Sequence, residues 1–252
     1  MTGGIKGQIS SHLTCVDNLA LFLDLDGTLV PLASAPDQVA LDFRVVGLLS
    51  RLVRRLGRRV AIVSGRSIAD VDRIVEDSIA AVAGIHGLER RTVSGVRTSV
   101  PAHPQLAYAR AELLKFADLR AGIVMEDKGL GLALHYRRAP EAAIAARRLV
   151  FRLATSTGLA VQQGDMVMEL LTPGPGKGSA VVAFMAEPPF AGSVPVFVGD
   201  DLTDEDAFAV IRASGGLAIQ VGPERQSQAS HRLADVDAVF AWLQSLLMEN
   251  PA

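Results

Sequence analysis

The chain has 252 residues, 49% hydrophobic and 21% charged, with a formal net charge of −2. That apolar content supports a buried core and argues against disorder, and the charge balance gives no reason to expect a nucleic-acid or membrane partner. Cys15 as the single cysteine excludes an internal disulfide, the start "MTGGIKGQISSHLT" is too polar for a signal peptide, and no run reaches the ~20 apolar residues of a membrane helix, so a cytoplasmic protein is expected, taken separately to be a monomer.

The first half alternates short apolar runs with amphipathic segments. "LALFLDL" at 19–25 precedes a helical pattern at 39–56, and "RVAIVS" at 59–64 precedes one at 67–77. The basic cluster "RLVRRLGRR" reads as the solvated face of the first of these helices. From about 102 the order changes to helix (104–119), strand ("GIVMEDK"), strand ("LGLALHYRR"), helix (140–157), and a hairpin through "QQGD" to "MVMELL". The final part returns to the first pattern: a helix at 178–187, "VPVFVGD", a helix at 203–213, "GLAIQVG" and a helix at 235–248. Continuous apolar strands alternating with helices predict a parallel sheet covered on both faces. Two hairpins alternating with two helices predict an antiparallel sheet with helices on one side. The expected fold is α/β, a doubly wound, Rossmann-like parallel-sheet core at 1–101 and 173–252 with an inserted α+β cap domain at 102–172. "VPAHP" and "TPGPG" read as the connections between them.

Ligands of open parallel sheets bind beyond the carboxyl ends of the strands. Asp24 and Asp26, Ser64, His86, and Asp200 with Asp201 occupy those ends and are expected to converge. One acidic strand end could be a helix cap, but two separate pairs of aspartates call for a divalent cation. Oxygen ligands without a Cys/His cluster point to Mg2+ rather than zinc. A carboxylate beside magnesium can attack phosphorus, and a second one two residues on can protonate the leaving oxygen and later activate water. Ser64 and Lys177 are available to neutralise the phosphoryl group, and Lys177 lies in the glycine-rich entry "PGPGKGSA" to a helix.

"DLDGTL", Ser64, Lys177 and "GDDLTDED", in that order, resemble the haloacid dehalogenase superfamily. The resemblance implies Asp24 as nucleophile, Asp26 as acid/base, Ser64 and Lys177 as phosphate-holding groups, and Asp24, Asp200 and the Asp26 carbonyl as magnesium ligands. Asp201 and Asp204 would lie outside that shell. The position and order of the insertion look like the larger cap of the sugar-phosphatase branch. "IVSGRS", "GIHGLE", "EDKGLGLALHYR" and "GDDLTDEDAF" are together similar to the trehalose-6-phosphate phosphatase family, over about residues 20–225. That likeness implies a sugar-phosphate substrate and cap contacts to its hydroxyls from Glu126, Lys128 and Glu169, in a free-standing form without a synthase domain.

Alternatives stay open at several positions. Arg66 is either a substrate contact or a salt bridge that pins the next helix. His86 is either an active-site group or a packed strand-end histidine. Glu126 and Lys128 could instead form a cross-hairpin ion pair, and His135 and Arg137 could simply mark one face of a cap strand. A phosphohexomutase of the same branch, another sugar-phosphate phosphatase, and a receiver-like module remain as alternative functions, although a receiver needs no leaving-group acid such as Asp26.

Overall fold

Alternate residues of a strand point to opposite faces, so an all-apolar run such as "LALFL" needs a covered sheet on both sides. The computed structural model describes residues 18–32 and 43–248. Cys15, the polar start and the first residues of the helix expected from 39 lie outside the described residues. The chain runs through β1 (Leu19–Leu23), α1 (Phe43–Arg55), β2 (Val60–Val63), α2 (Ile68–Val75), β3 (Ala81–Gly84) and a hairpin of β4 (Glu89–Arg91) and β5 (Arg97–Ser99). It continues through α3 (Leu106–Asp118), β6 (Val124–Asp127), β7 (Gly131–His135), α4 (Ala143–Thr157), β8 (Ala160–Gly164) and β9 (Val167–Leu171). It returns with α5 (Lys177–Met185), β10 (Val194–Gly199), α6 (Glu205–Ala213), β11 (Leu217–Val221), β12 (His231–Leu233) and α7 (Val236–Met248).

The larger sheet has the order β12-β11-β10-β1-β2-β3-β4-β5, parallel from β12 to β3 and antiparallel through the last two strands. Leu19, Leu21 and Leu23 of β1 join one core with α1, α2 and α7, through Leu49, Val71 and Leu243 among others. Ala20 and Phe22 join the opposite core with α5 and α6, through Val181, Phe184 and Phe208. Phe22 is fully buried and stacks on Phe190 with ring centroids 5.4 Å apart. Its truncation to alanine should cost about 3–5 kcal/mol. This is the expected α/β architecture with a mostly parallel central sheet.

The smaller sheet is antiparallel, β6-β7-β9-β8. Leu132, Leu134, Met168 and Leu170 face α3 and α4 and form a separate apolar core with Leu113, Leu149 and Val150. The alternate residues, including Glu126, Ala133 and Glu169 in one row across three strands, occupy the other face. That second face looks onto the ends of the parallel strands.

Two features depart from the expected pattern. The hairpin β4–β5 and the edge strand β12 were not anticipated, because they are three residues each and rich in charge. Arg91 of β4 is held by both oxygens of Asp72, at 2.6 and 2.7 Å, which fixes a strand that has no apolar pattern of its own. Strand β3 also stops at Gly84, before His86: Ile85 and His86 adopt positive φ values of 47° and 58°. Such conformations are strained for residues other than glycine, and strongly so for β-branched Ile85.

Candidate active site

The register of the sheet aligns the strand ends. Leu23 lies opposite both Val198 of β10 and Ile62 of β2, while Val63 lies opposite Ala83 of β3. The residues that follow, Asp24, Asp200, Ser64 and His86, therefore meet on one rim. The amide of Asp24 donates to Val198 O at 2.9 Å, and that of His86 donates to Ser64 O at 2.9 Å. Asp24, Asp26, Ser64, Arg66, His86, Glu126, Lys128, Glu169, Lys177 and Asp200 all line a single cleft between the two sheets.

Lys177 opens α5 immediately after Gly176, and its ammonium reaches back to the rim. It donates to Asp24 Oδ1 at 2.8 Å and to Asp204 Oδ1 at 2.6 Å, with all three side chains buried. Asp206 accepts from the amide of Gly178 at 2.9 Å, which ties the start of α5 to the acidic loop. Burial pushes Asp24 up to about 7, with Lys177 pulling it down and Asp204 adding to the rise. Burial opposes the charge of Lys177, yet the Asp204 and Asp24 carboxylates hold its pKa above the ordinary lysine range.

One carboxylate oxygen from each of Asp24, Asp200 and Asp204 falls within 4.8 Å of the others. Both oxygens of Asp204 are committed, one to Lys177 and one to the amide of Asp201 at 3.0 Å. Burial, then the charges of Asp24 and Asp204, push Asp200 up to about 9. A buried Asp24 and a half-buried Asp200 that resist ionising together fit a hard cation bound through oxygen. The approach is tight. A Cβ placed on Gly27, whose φ is +76°, would sit 1.9 Å from Asp200 Oδ2. Glycine is thus required there both by conformation and by space.

Asp26 points elsewhere. Its two carboxylate oxygens receive Arg66 Nε at 2.6 Å and Arg66 Nη2 at 2.8 Å, a fork-to-fork pair. Its carboxylate is not part of the acidic cluster, so a magnesium contact from this residue would have to come from its main chain. Ser64 is buried, and its hydroxyl accepts from the amide of Arg66 at 3.1 Å.

The smaller sheet closes the cleft through charged groups. Lys128 donates to Gly65 O at 2.9 Å and also to Glu169, whose other oxygen lies 2.5 Å from His86 Nε2. Burial would raise Glu169, but the charges of Lys128 and His86 hold it well below the usual carboxylate range. Burial likewise opposes the charge of Lys128, and Glu169 and Glu126 more than offset it, raising its pKa. Glu126 pairs with His135 at 2.8 Å. The cross-hairpin pair of Glu126 with Lys128 is therefore not what forms: each takes a different partner. His135 and Arg137 do share a face, and that face lines the cleft. The alternation of His135 and Arg137 with Leu134 and Tyr136 was the available signal, but it does not say which face meets the core. Glu89 has a structural job, accepting the first amide of α2, that of Ile68, at 2.6 Å.

The model of the trehalose-phosphatase family matches residues 22–237. The chain is 39% identical over 231 residues to the trehalose-6-phosphate phosphatase of Escherichia coli K12, covering 90% of this chain and 86% of that one. It is 36% identical over 245 residues to a probable trehalose-phosphate phosphatase of Sinorhizobium fredii, covering 96% and 92% of the two chains. The solved C-terminal domain of the C. albicans trehalose-6-phosphate phosphatase superposes with a TM-score of 0.85 at 18% identity and 97% coverage of both chains, a likeness of fold. With its family model spanning both sheets, this chain belongs to the trehalose-phosphatase family.

Proposed function

We propose that this protein hydrolyses trehalose 6-phosphate to trehalose and phosphate, with magnesium as cofactor and an aspartyl-phosphate intermediate. The observation that carries the reading is the Asp24–Lys177 pair at the strand ends, facing Glu126, Lys128 and Glu169 across one cleft. Lys177 holds Oδ1 of Asp24, which leaves Oδ2 to attack phosphorus. Magnesium would be held by Asp24, Asp200 and the main-chain carbonyl of Asp26, and when bound would offset the negative charge around the phosphoryl group. Lys177 and Ser64 serve the same end from the protein side.

As the bond from Asp24 to phosphorus forms, the bond from phosphorus to the sugar oxygen breaks, and that oxygen takes a proton from Asp26. Water then attacks phosphorus and gives a proton to Asp26, and the electron pair of the phosphorus–Asp24 bond returns to the carboxylate. The polar groups of Glu126, Lys128 and Glu169 meet the disaccharide, because the phosphate itself is alike in all sugar phosphates. The core is read as 1–101 with 173–252 and the cap as 102–172. Turnover with magnesium across a panel of sugar phosphates tests the reading. Preference for trehalose 6-phosphate over glucose 6-phosphate supports it, and so does loss of activity in Asp24→Asn. A panel without preference, or an active Asp24→Asn, overturns it.

A further inference from the structure

The pair between Asp26 and Arg66 is not explained by the needs of the fold. Arg66 stands just before α2, where an arginine could serve to anchor the helix start. That start is already held by other groups: the Ser67 hydroxyl accepts from the amide of Asp70 at 3.1 Å, and Glu89 accepts from Ile68 N at 2.6 Å. The Arg66 guanidinium instead turns into the cleft and takes both oxygens of Asp26. The Arg66 side chain is 11% exposed and that of Asp26 29% exposed, so the arginine is the fixed member and the carboxylate the one being held. Its backbone is fixed as well: its amide donates to Ser64 Oγ at 3.1 Å, and its carbonyl accepts from Ile85 N at 2.8 Å.

We propose that Arg66 is a positioning residue for phosphoryl transfer, setting the plane of the Asp26 carboxylate so that one oxygen can exchange a proton with the leaving group and then with water. The inference rests on the acid–base reading of Asp26 given above. A planar fork fixes both the place and the rotation of a carboxylate, which a single ammonium cannot do. Asp26 stands just before the turn at 27–29, and its side chain would otherwise rotate in a partly wet cleft. Misplacement of a proton donor hurts only those substrates whose leaving oxygen needs the proton.

The test compares trehalose 6-phosphate, with its strongly basic alkoxide leaving group, and 2,4-dinitrophenyl phosphate, whose phenolate departs without protonation. Arg66→Lys should lower kcat on the sugar phosphate by roughly 100-fold, while formation of the phosphoenzyme from the aryl phosphate falls less than about 5-fold. Because the second step also uses Asp26, the variant should release a burst of dinitrophenol followed by a slower steady rate. Guanidinium added to Arg66→Ala should restore part of the sugar-phosphate activity, whereas equal ionic strength from sodium should not. Equal losses on both substrates, with no burst and no rescue, would mean that Arg66 merely supports the fold, and would overturn the inference. Asp26→Asn run in parallel separates the two levels. If it too loses both substrates equally, the acid–base reading fails and this inference with it; if it discriminates and Arg66→Lys does not, only the inference fails.

Discussion

Lys177 and Asp24 are 153 positions apart in the chain and meet at 2.8 Å in the buried floor of the cleft. Lys177 also holds Asp204, so one ammonium balances two buried carboxylates. Removing a partner from such a set leaves charge buried and uncompensated. Lys177→Met should therefore lower stability by about 3–5 kcal/mol as well as abolishing turnover. Urea unfolding measures the first effect, and a stability near wild type would mean that the pair contributes little to the fold.

Asp24→Asn should behave differently. The residue already sits where burial pushes its pKa up to about 7, so a neutral side chain of the same shape is tolerated. Activity should fall by roughly 10^4-fold or more, since the amide cannot form the covalent intermediate. Phosphate release and the urea midpoint, measured on the same preparation, check both halves.

The acidic rim should make activity depend on a cation. Chelation should stop turnover and magnesium should restore it, while calcium, with a larger and looser oxygen shell, should inhibit. Gly27→Ala should mimic partial metal loss, because its methyl group would occupy the space of Asp200 Oδ2. A magnesium titration should show a weaker apparent affinity in that variant, and an unchanged midpoint would exclude the close approach as a determinant.

The bridge from Glu169 to Lys128 and His86 predicts a pH window for stability. Glu169 has a folded pKa below its unfolded value of about 4.3, so its contribution is full above that pH and is lost as the pH falls through the folded value. Lys128 has a folded pKa above its unfolded value of about 10.4, so its contribution is full below that pH and is lost as the pH rises through the folded value. The stability difference between wild type and Glu169→Gln should be largest from roughly pH 5 to 10 and shrink on the acid side. Unfolding curves from pH 3 to 9 would contradict this if the difference stayed constant.

Glu126→Ala tests sugar recognition with the least disturbance to the bridge, since Glu126 pairs with His135 within the smaller sheet. Its kcat/KM for trehalose 6-phosphate should fall by roughly 10- to 1000-fold, with a much smaller loss on a small aryl phosphate. Matching losses on the two substrates would remove Glu126 from the sugar site.

Much of the parallel core could be read from runs such as 19–23 and 194–200, because strands covered on both faces are apolar throughout. The acidic pairs stood out for the same reason, as charge at the end of a buried run. The hairpin β4–β5 was hidden because its strands are short, charged and held by a tertiary contact, Arg91 to Asp72, rather than by a pattern. Partners within the cleft were hidden in another way. Period-2 alternation groups Glu126 with the other residues of its face, but it does not reveal that Glu169 reaches His86 across 83 positions. Likewise, "SGRS" displays an arginine beside a helix cap, while the carboxylate it grips lies 40 positions earlier.

The contact of Lys128 with Gly65 and of Glu169 with His86 joins the two sheets through groups read as sugar contacts. An arriving disaccharide would thus trade places with an internal ligand set instead of filling vacant sites. Each hydroxyl that bonds to Lys128 or Glu169 would replace a bond the protein already makes, so the net enthalpy of capture would be a small difference between two similar totals. Selectivity would then depend less on how many hydroxyls a sugar offers than on whether their arrangement reproduces the bonds it displaces. A sugar that reproduces only some of them would lose to the protein's own side chains.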